Sequence, residues 1–209
     1  MMTDSNPWLQ IPLDDYERHM SHHMVGQAVL LNALTKKYLE EIKPSTAVFL
    51  GIAGGNGLEH IDHTITKSVY GIDINPEYLH TASERLQHTI PSLQLLNLDI
   101  TRHPETICQA DFIWAALVLE YTGIDKVLAF SANNMRKGGH LVVSIQVNNN
   151  KSSVSSTGIE SIKKAGEIFS LVDPEELLSK ATDFGYELIG KEDNLLPNGK
   201  SIVTFHFLN

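Results

Sequence analysis

The sequence is short of the features that mark several protein classes. Cys108 is the one cysteine, so no internal disulfide can staple the fold, and a reducing, cytoplasmic setting is expected. Basic residues are outnumbered: 16 Lys and Arg against 25 Asp and Glu leave a formal net charge of −9. The adjacent lysines Lys36-Lys37 and Lys163-Lys164 read as solvated helix faces. A nucleic-acid partner needs a basic face to neutralise phosphates and is not expected. No apolar run is long enough to span a bilayer, and the acidic N-terminal region with Asp4, Asp14 and Asp15 lacks a basic-then-apolar leader pattern, so no membrane role is expected. What remains is ordinary globular material: 209 residues, 42% hydrophobic and 20% charged, enough for a full core.

One stretch organises the rest, Ala47–Ile61. Val48–Ile52 is a short apolar run of the kind that forms a buried parallel strand. Gly54, Gly55 and Gly57 follow, then Leu58 and Ile61 at helical spacing, which predicts a helix over roughly Leu58–Thr66. A strand passing through glycines into a helix brings bare backbone and unpaired N–H groups close to a ligand.

Ahead of it, residues 1–13 read as an extended arm anchored by Trp8, and Asp14 or Asp15 as the cap of a helix through Tyr16, Met20 and His23. Gly26 interrupts, and Val29, Leu30, Leu34, Tyr38 and Ile42 mark a second amphipathic helix, so residues 1–43 are expected to form an arm and helical cap and 44–209 a single binding domain. Strands are predicted at Ser68–Ile74, Leu93–Leu98, Ala110–Ala115 and His140–Val147, with helices from Asn75-Pro76 and over Asp125–Met135. The polar, Ser/Asn-rich Asn148–Ser156 is expected to be a mobile loop. Asp173-Pro174-Glu175-Glu176 starts a helix ended at Gly185, and Tyr186–Lys191 and Ile202–Leu208 form an antiparallel pair across Pro197-Asn198-Gly199. The sum is a three-layer α/β sandwich with a seven-stranded, mostly parallel sheet and a terminal hairpin, whose ligands belong beyond the carboxyl ends of the strands.

Those strand ends are chemically coherent. Strand two ends at Asp73, where a carboxylate can accept from a ribose diol, and strand three at Asp99-Ile100, where one can accept from an adenine amine. Strand four ends at Ala115-Ala116-Leu117, small enough to leave ligand room. With Phe49–Gly57, Val69–Asn75, Leu96–Ile100, Ala110–Tyr121 and Met135–Ser144 in this order, the chain resembles the class I S-adenosylmethionine-dependent methyltransferases from about Thr46 onward. The resemblance implies that cofactor, with S-adenosylhomocysteine as product, held by Gly51, Ala53, Gly54, Gly55, Gly57, Asp73, Ile74, Asp99, Ile100, Ala115 and Leu117. Three positions depart from the pattern: Gly51 replaces an acid that helps hold the methionine amino group, Ala53 a glycine and Lys137 a proline. Ala53 is a mild exchange only where φ stays negative, and Glu59 is either a replacement carboxylate or a solvated helix residue. A dinucleotide fingerprint read from Gly55 places His60 where a tiny residue is needed, which leaves an NAD(P)-dependent oxidoreductase as the alternative enzyme.

The resemblance implies no universal catalytic residue. By position, Glu120 either orients or deprotonates an acceptor or is a solvated loop acid, and Tyr121 either walls the pocket or packs. Trp8, Tyr16, His19 and His23 form either a cap over the acceptor or plain core with exposed histidines, and Gln146 and Asn148 end strand five beside it. His19 and His23 share a helical face, but no third ligand accompanies them and no metal is expected. The expected partner is a small-molecule methyl acceptor; a non-catalytic S-adenosylmethionine binder is the third reading.

Overall fold

The computed structural model describes residues 6–103 and 105–209, so Asp4 and the first residues of the arm lie outside the described residues. Two helices come first, α1 (Leu13–Ser21) and α2 (Gln27–Ile42), parted at Gly26 with its φ of +68°. The chain then runs β1 (Thr46–Leu50), β2 (Ser68–Asp73), α3 (Pro76–Leu86), β3 (Leu93–Asn97), β4 (Ala110–Ala116), α4 (Leu119–Thr122), α5 (Ile124–Asn134), β5 (Met135–Val147), α6 (Pro174–Asp183), β6 (Glu187–Leu195) and β7 (Ser201–Leu208). The start signals act as read: Asn75 Oδ1 accepts from Glu77 N–H at 3.0 Å, and Asp173 Oδ1 from Glu175 N–H at 2.8 Å.

The seven strands form one sheet in the order β3-β2-β1-β4-β5-β7-β6. β1 pairs in parallel with β2 and β4, and β7 pairs antiparallel with both β5 and β6. Successive connections diverge between β1 and β4, so a crevice opens there beyond the strand ends. Alternation along β1 serves two cores. Val48 and Leu50 pack with Val127, Leu128, Leu177 and Ala181 of α5 and α6. Ala47 and Phe49 pack with Leu31, Leu34 and Tyr38 of α2 and with Leu79, Ala82 and Leu86 of α3. Thus α2 is a layer on the sheet, and α1 with the preceding arm is what lies over the crevice.

Three local expectations are corrected. The helix over Leu58–Thr66 is only a 3-10 turn, Leu58–His60. Asp62 Oδ1 accepts from both the N–H and the hydroxyl of Thr64, an Asx turn that competes with helical hydrogen bonds. Neither Asp14 nor Asp15 caps α1, which starts after Pro12 without a side-chain cap, and Asp15 instead accepts from Ser161 Oγ at 2.6 Å. β5 begins at Met135, five residues early, because a bulge lets Met135 pair with Ala110 before His140 pairs with Phe112.

Candidate active site

The turn after β1 runs through positive φ at Gly51 (+66°), Ala53 (+47°), Gly55 (+87°) and Gly57 (+91°). The mild exchange at Ala53 is therefore not mild in conformation: an L-residue sits in the left-handed region, where strain gathers at ligand clamps. Asp73 Oδ2 accepts Ala53 N–H at 2.9 Å and Oδ1 accepts Asn75 N–H at 2.9 Å, so the acid at the end of β2 holds both the glycine turn and the start of α3. It is 8% exposed, and burial raises its carboxyl above the usual range against those N–H donors. Asp99 Oδ1 accepts Thr101 N–H and hydroxyl, with Arg102 Nε 3.3 Å from Oδ2.

A cavity of about 460 Å³ runs from these two acids past the tip of β4 to the end of β5. Leu117 stands at the tip with φ +56° and donates its N–H to Ser144 O at 2.8 Å. Glu120, 1% exposed, is not a solvated acid. Its Oε1 accepts Gln146 N–H at 2.7 Å while Oε2 has no partner, and burial pushes the carboxyl up to about 7. Gln146 Oε1 accepts from Gln27 at 2.7 Å and its Nε2 donates to Asn148 Oδ1 at 2.6 Å.

The roof comes from the N-terminal arm and α1. Asn75 Nδ2 donates to Trp8 O and Tyr78 Oη to Ile11 O, both at 2.8 Å. The Trp8 ring meets Tyr121 edge-on at 4.9 Å and Tyr16 at 5.7 Å. His19, held near 4 by burial first and the Lys200 ammonium second, lies 2.9 Å from Thr157 Oγ1 through Nδ1. The segment after β5 thereby folds against α1, with Ser153 and Val154 on the cavity wall.

Of the residues singled out by sequence, Trp8, Tyr16, His19, Gly51, Ala53, Asp73, Ile74, Asp99, Leu117, Glu120, Tyr121 and Gln146 share this cavity. Others do not. Ile100 and Ala115 are core residues: alternation along β4 turns Ala115 inward, and Ile100 packs into the same core from the turn after β3. A Cβ on Gly55 would press on Leu86 and one on Gly57 on Thr35, so these glycines let α3 and α2 close in rather than face the cavity. Gly54 lines a separate hollow beside it. His23 is exposed and its ring lies 4.5 Å from that of His22, since α1 ends at Ser21 and breaks the shared face with His19. Glu59 is no replacement for the missing acid: its carboxylate accepts from Gly57 N–H and Asn32. Among the described residues no three His, Cys, Asp or Glu side chains are grouped to hold a metal, and no helix is long and apolar enough to cross a membrane. Gln27, Tyr78, Arg102 and Phe169 line the cavity without any sequence signal beyond their place on elements that fold over it.

Gly51 explains its own identity. A Cβ there would lie 2.9 Å from Val118 Cγ2 at φ +66°. Gly51→Ala is expected to cost about 2–3 kcal/mol from left-handed strain and crowding, lowering the melting temperature by roughly 5–10 °C in a thermal scan.

Residues 48–143 match a family model described as a methyltransferase domain. No curated protein matches by sequence. Among solved structures, the N-methyltransferase NodS from Bradyrhizobium japonicum WM9 in complex with S-adenosyl-L-homocysteine is similar at a TM-score of 0.66 and 16% identity, over 98% of this chain and 99% of that one. Magnesium protoporphyrin IX methyltransferase from Synechocystis PCC 6803 gives a TM-score of 0.69 at 13% identity, over 94% and 93%. The [4+2]-cyclase SpnF gives 0.66 at 12% identity, over 85% and 80%. Such identities speak for the fold, and the domain match speaks for residues 48–143. Residues 48–143 therefore resemble a methyltransferase domain, and the chain as a whole has the Rossmann-like fold of the S-adenosylmethionine-dependent methyltransferases.

Proposed function

We propose that this protein transfers a methyl group from S-adenosylmethionine to a small-molecule acceptor held beneath the N-terminal arm and α1. One observation carries the reading: the two acids at the ends of β2 and β3 and the buried Glu120 beyond β4 line a single roofed cavity. Its size suits a cofactor with a small partner. The residues present fit the cofactor. A carboxylate has about four acceptor sites, so Asp73 keeps lone pairs for a ribose diol after binding its two N–H groups. Asp99 would accept from the adenine amine, with Ile74 and Leu117 of the same cavity as apolar walls.

When bound, the cofactor supplies an electrophilic methyl group on a positively charged sulfur. The chain's own part is alignment and exclusion of water. Trp8, Tyr16 and Tyr121 close the cavity from above, and Gln146, fixed by Gln27 and Glu120, presents a rigid polar edge to the acceptor. Glu120 Oε2, buried and free of partners, takes the acceptor's proton where one must leave.

The fold alone also accommodates other chemistry, as the cyclase neighbour illustrates, so ligand and turnover are tested separately. At a hundredfold excess over its Kd, S-adenosylhomocysteine is expected to stabilise the protein by about 2.7 kcal/mol, a rise of roughly 5–10 °C, with none from NADH. A rise with NADH alone favours an oxidoreductase. A rise with S-adenosylhomocysteine but no turnover on a metabolite panel favours a non-catalytic binder.

A further inference from the structure

Beside the roofed cavity lies a second hollow of about 470 Å³, on the other flank of the glycine turn. The two adjoin, for Tyr16, Met20, Gly51, Ala53 and Ala116 line both. Glu17 of α1 is the only carboxylate among the described residues lining the second hollow. It stands directly on the turn: a Cβ added to Gly54 would overlap its carboxylate and the Arg85 guanidinium. Arg85 grips Glu17 with both terminal nitrogens, Nη2 to Oε2 at 3.1 Å, and reaches Gly54 O at 3.4 Å.

We infer that this hollow receives the amino-acid end of the cofactor and that Glu17 accepts its α-ammonium group, a reading that rests on the proposed function. With the nucleoside between Asp73 and Asp99, the opposite end of the molecule is a zwitterion on the far side of Gly51 and Ala53. A zwitterion is matched by an ion pair, its ammonium toward a carboxylate and its carboxylate toward a guanidinium. Paired with Arg85, Glu17 still keeps lone pairs for an ammonium, whereas Asp73 and Asp99 line only the roofed cavity and Glu59 lines neither hollow. Gly51 has no side chain to offer. Because Glu17 belongs to α1, the acid comes from the roof, and cofactor binding and roof closure become one event.

The test is calorimetric titration of the full chain and Glu17→Gln with two ligands, S-adenosylhomocysteine and 5′-methylthioadenosine, which lacks the amino-acid group. Glu17→Gln is expected to weaken S-adenosylhomocysteine about tenfold to a hundredfold while 5′-methylthioadenosine stays within about twofold. Equal loss on both ligands overturns the inference, since Glu17 then merely steadies the roof. No loss on either overturns it as well. If the unaltered chain binds neither ligand, the cofactor reading itself falls and this inference with it.

Discussion

Alanine at Asp73 is expected to weaken S-adenosylhomocysteine binding at least about a hundredfold, since two charge-assisted hydrogen bonds at about 1.5–3 kcal/mol each are lost. The same change leaves Ala53 and Asn75 N–H without their acceptors in a site where Asp73 itself is 8% exposed. Two orphaned donors cost about 2–4 kcal/mol together, and the melting temperature should fall by roughly 5–15 °C. Affinity is therefore measured well below the variant's own melting point, so that unfolding is not mistaken for lost contact. Asp73→Asn separates the effects, because it keeps one acceptor oxygen and turns an amide against the other donor. Unchanged affinity in a folded Asp73→Ala protein would remove the ribose acid, and with it the cofactor site as drawn.

Glu120→Gln is expected to lower turnover on the true acceptor by about 10²–10⁴-fold where the acceptor must lose a proton. The base works only when ionised. With the carboxyl pushed up to about 7 by burial, the rate of the unaltered enzyme should climb with pH through about 7, and the glutamine variant should lose that limb. The stability of the same group runs the other way. A carboxyl raised on folding binds more protons in the native state than in the unfolded chain. Its contribution is thus fully present below the ordinary glutamate value and lost as pH rises through about 7. Full turnover with an unaltered pH profile in Glu120→Gln would leave Glu120 as a tie between α4 and β5 through Gln146 N–H, and no more.

How far residues alone led is seen best at neighbouring positions. Val48–Ile52 and its glycines announced a strand and the turn after it because apolar runs and glycine carry local meaning. The next nine residues deceived, since Leu58 and Ile61 have helical spacing but Asp62 satisfies Thr64 with its own side chain and stops the helix. Asp73 and Asp99, singled out by their places after strands, line one cavity. Ile100, next to Asp99, and Ala115, near the tip of β4, were assigned to the site and are core residues. For Ala115 the reason is alternation along β4, which the motif pattern does not resolve, and Ile100 turns inward after β3 has ended. His23 was placed beside His19 on a helix assumed to run on, and α1 ends two residues too early.

The amino-acid order by itself determined the seven-stranded sandwich, its terminal hairpin, the glycine turn after β1 and the acids following its two neighbouring strands. Each of these follows from local propensity and periodic patterning that act within a few residues. Only the tertiary structure decided that Glu17 rests on Gly54, that Gln27 fixes Gln146, and that Glu120 is buried with an oxygen unpartnered. These are contacts across 26 or more positions, such as the 119 between Gln27 and Gln146, created when packing two cores brings remote helices over one crevice. No spacing along the chain encodes such a meeting, because burial is shared out by the whole fold.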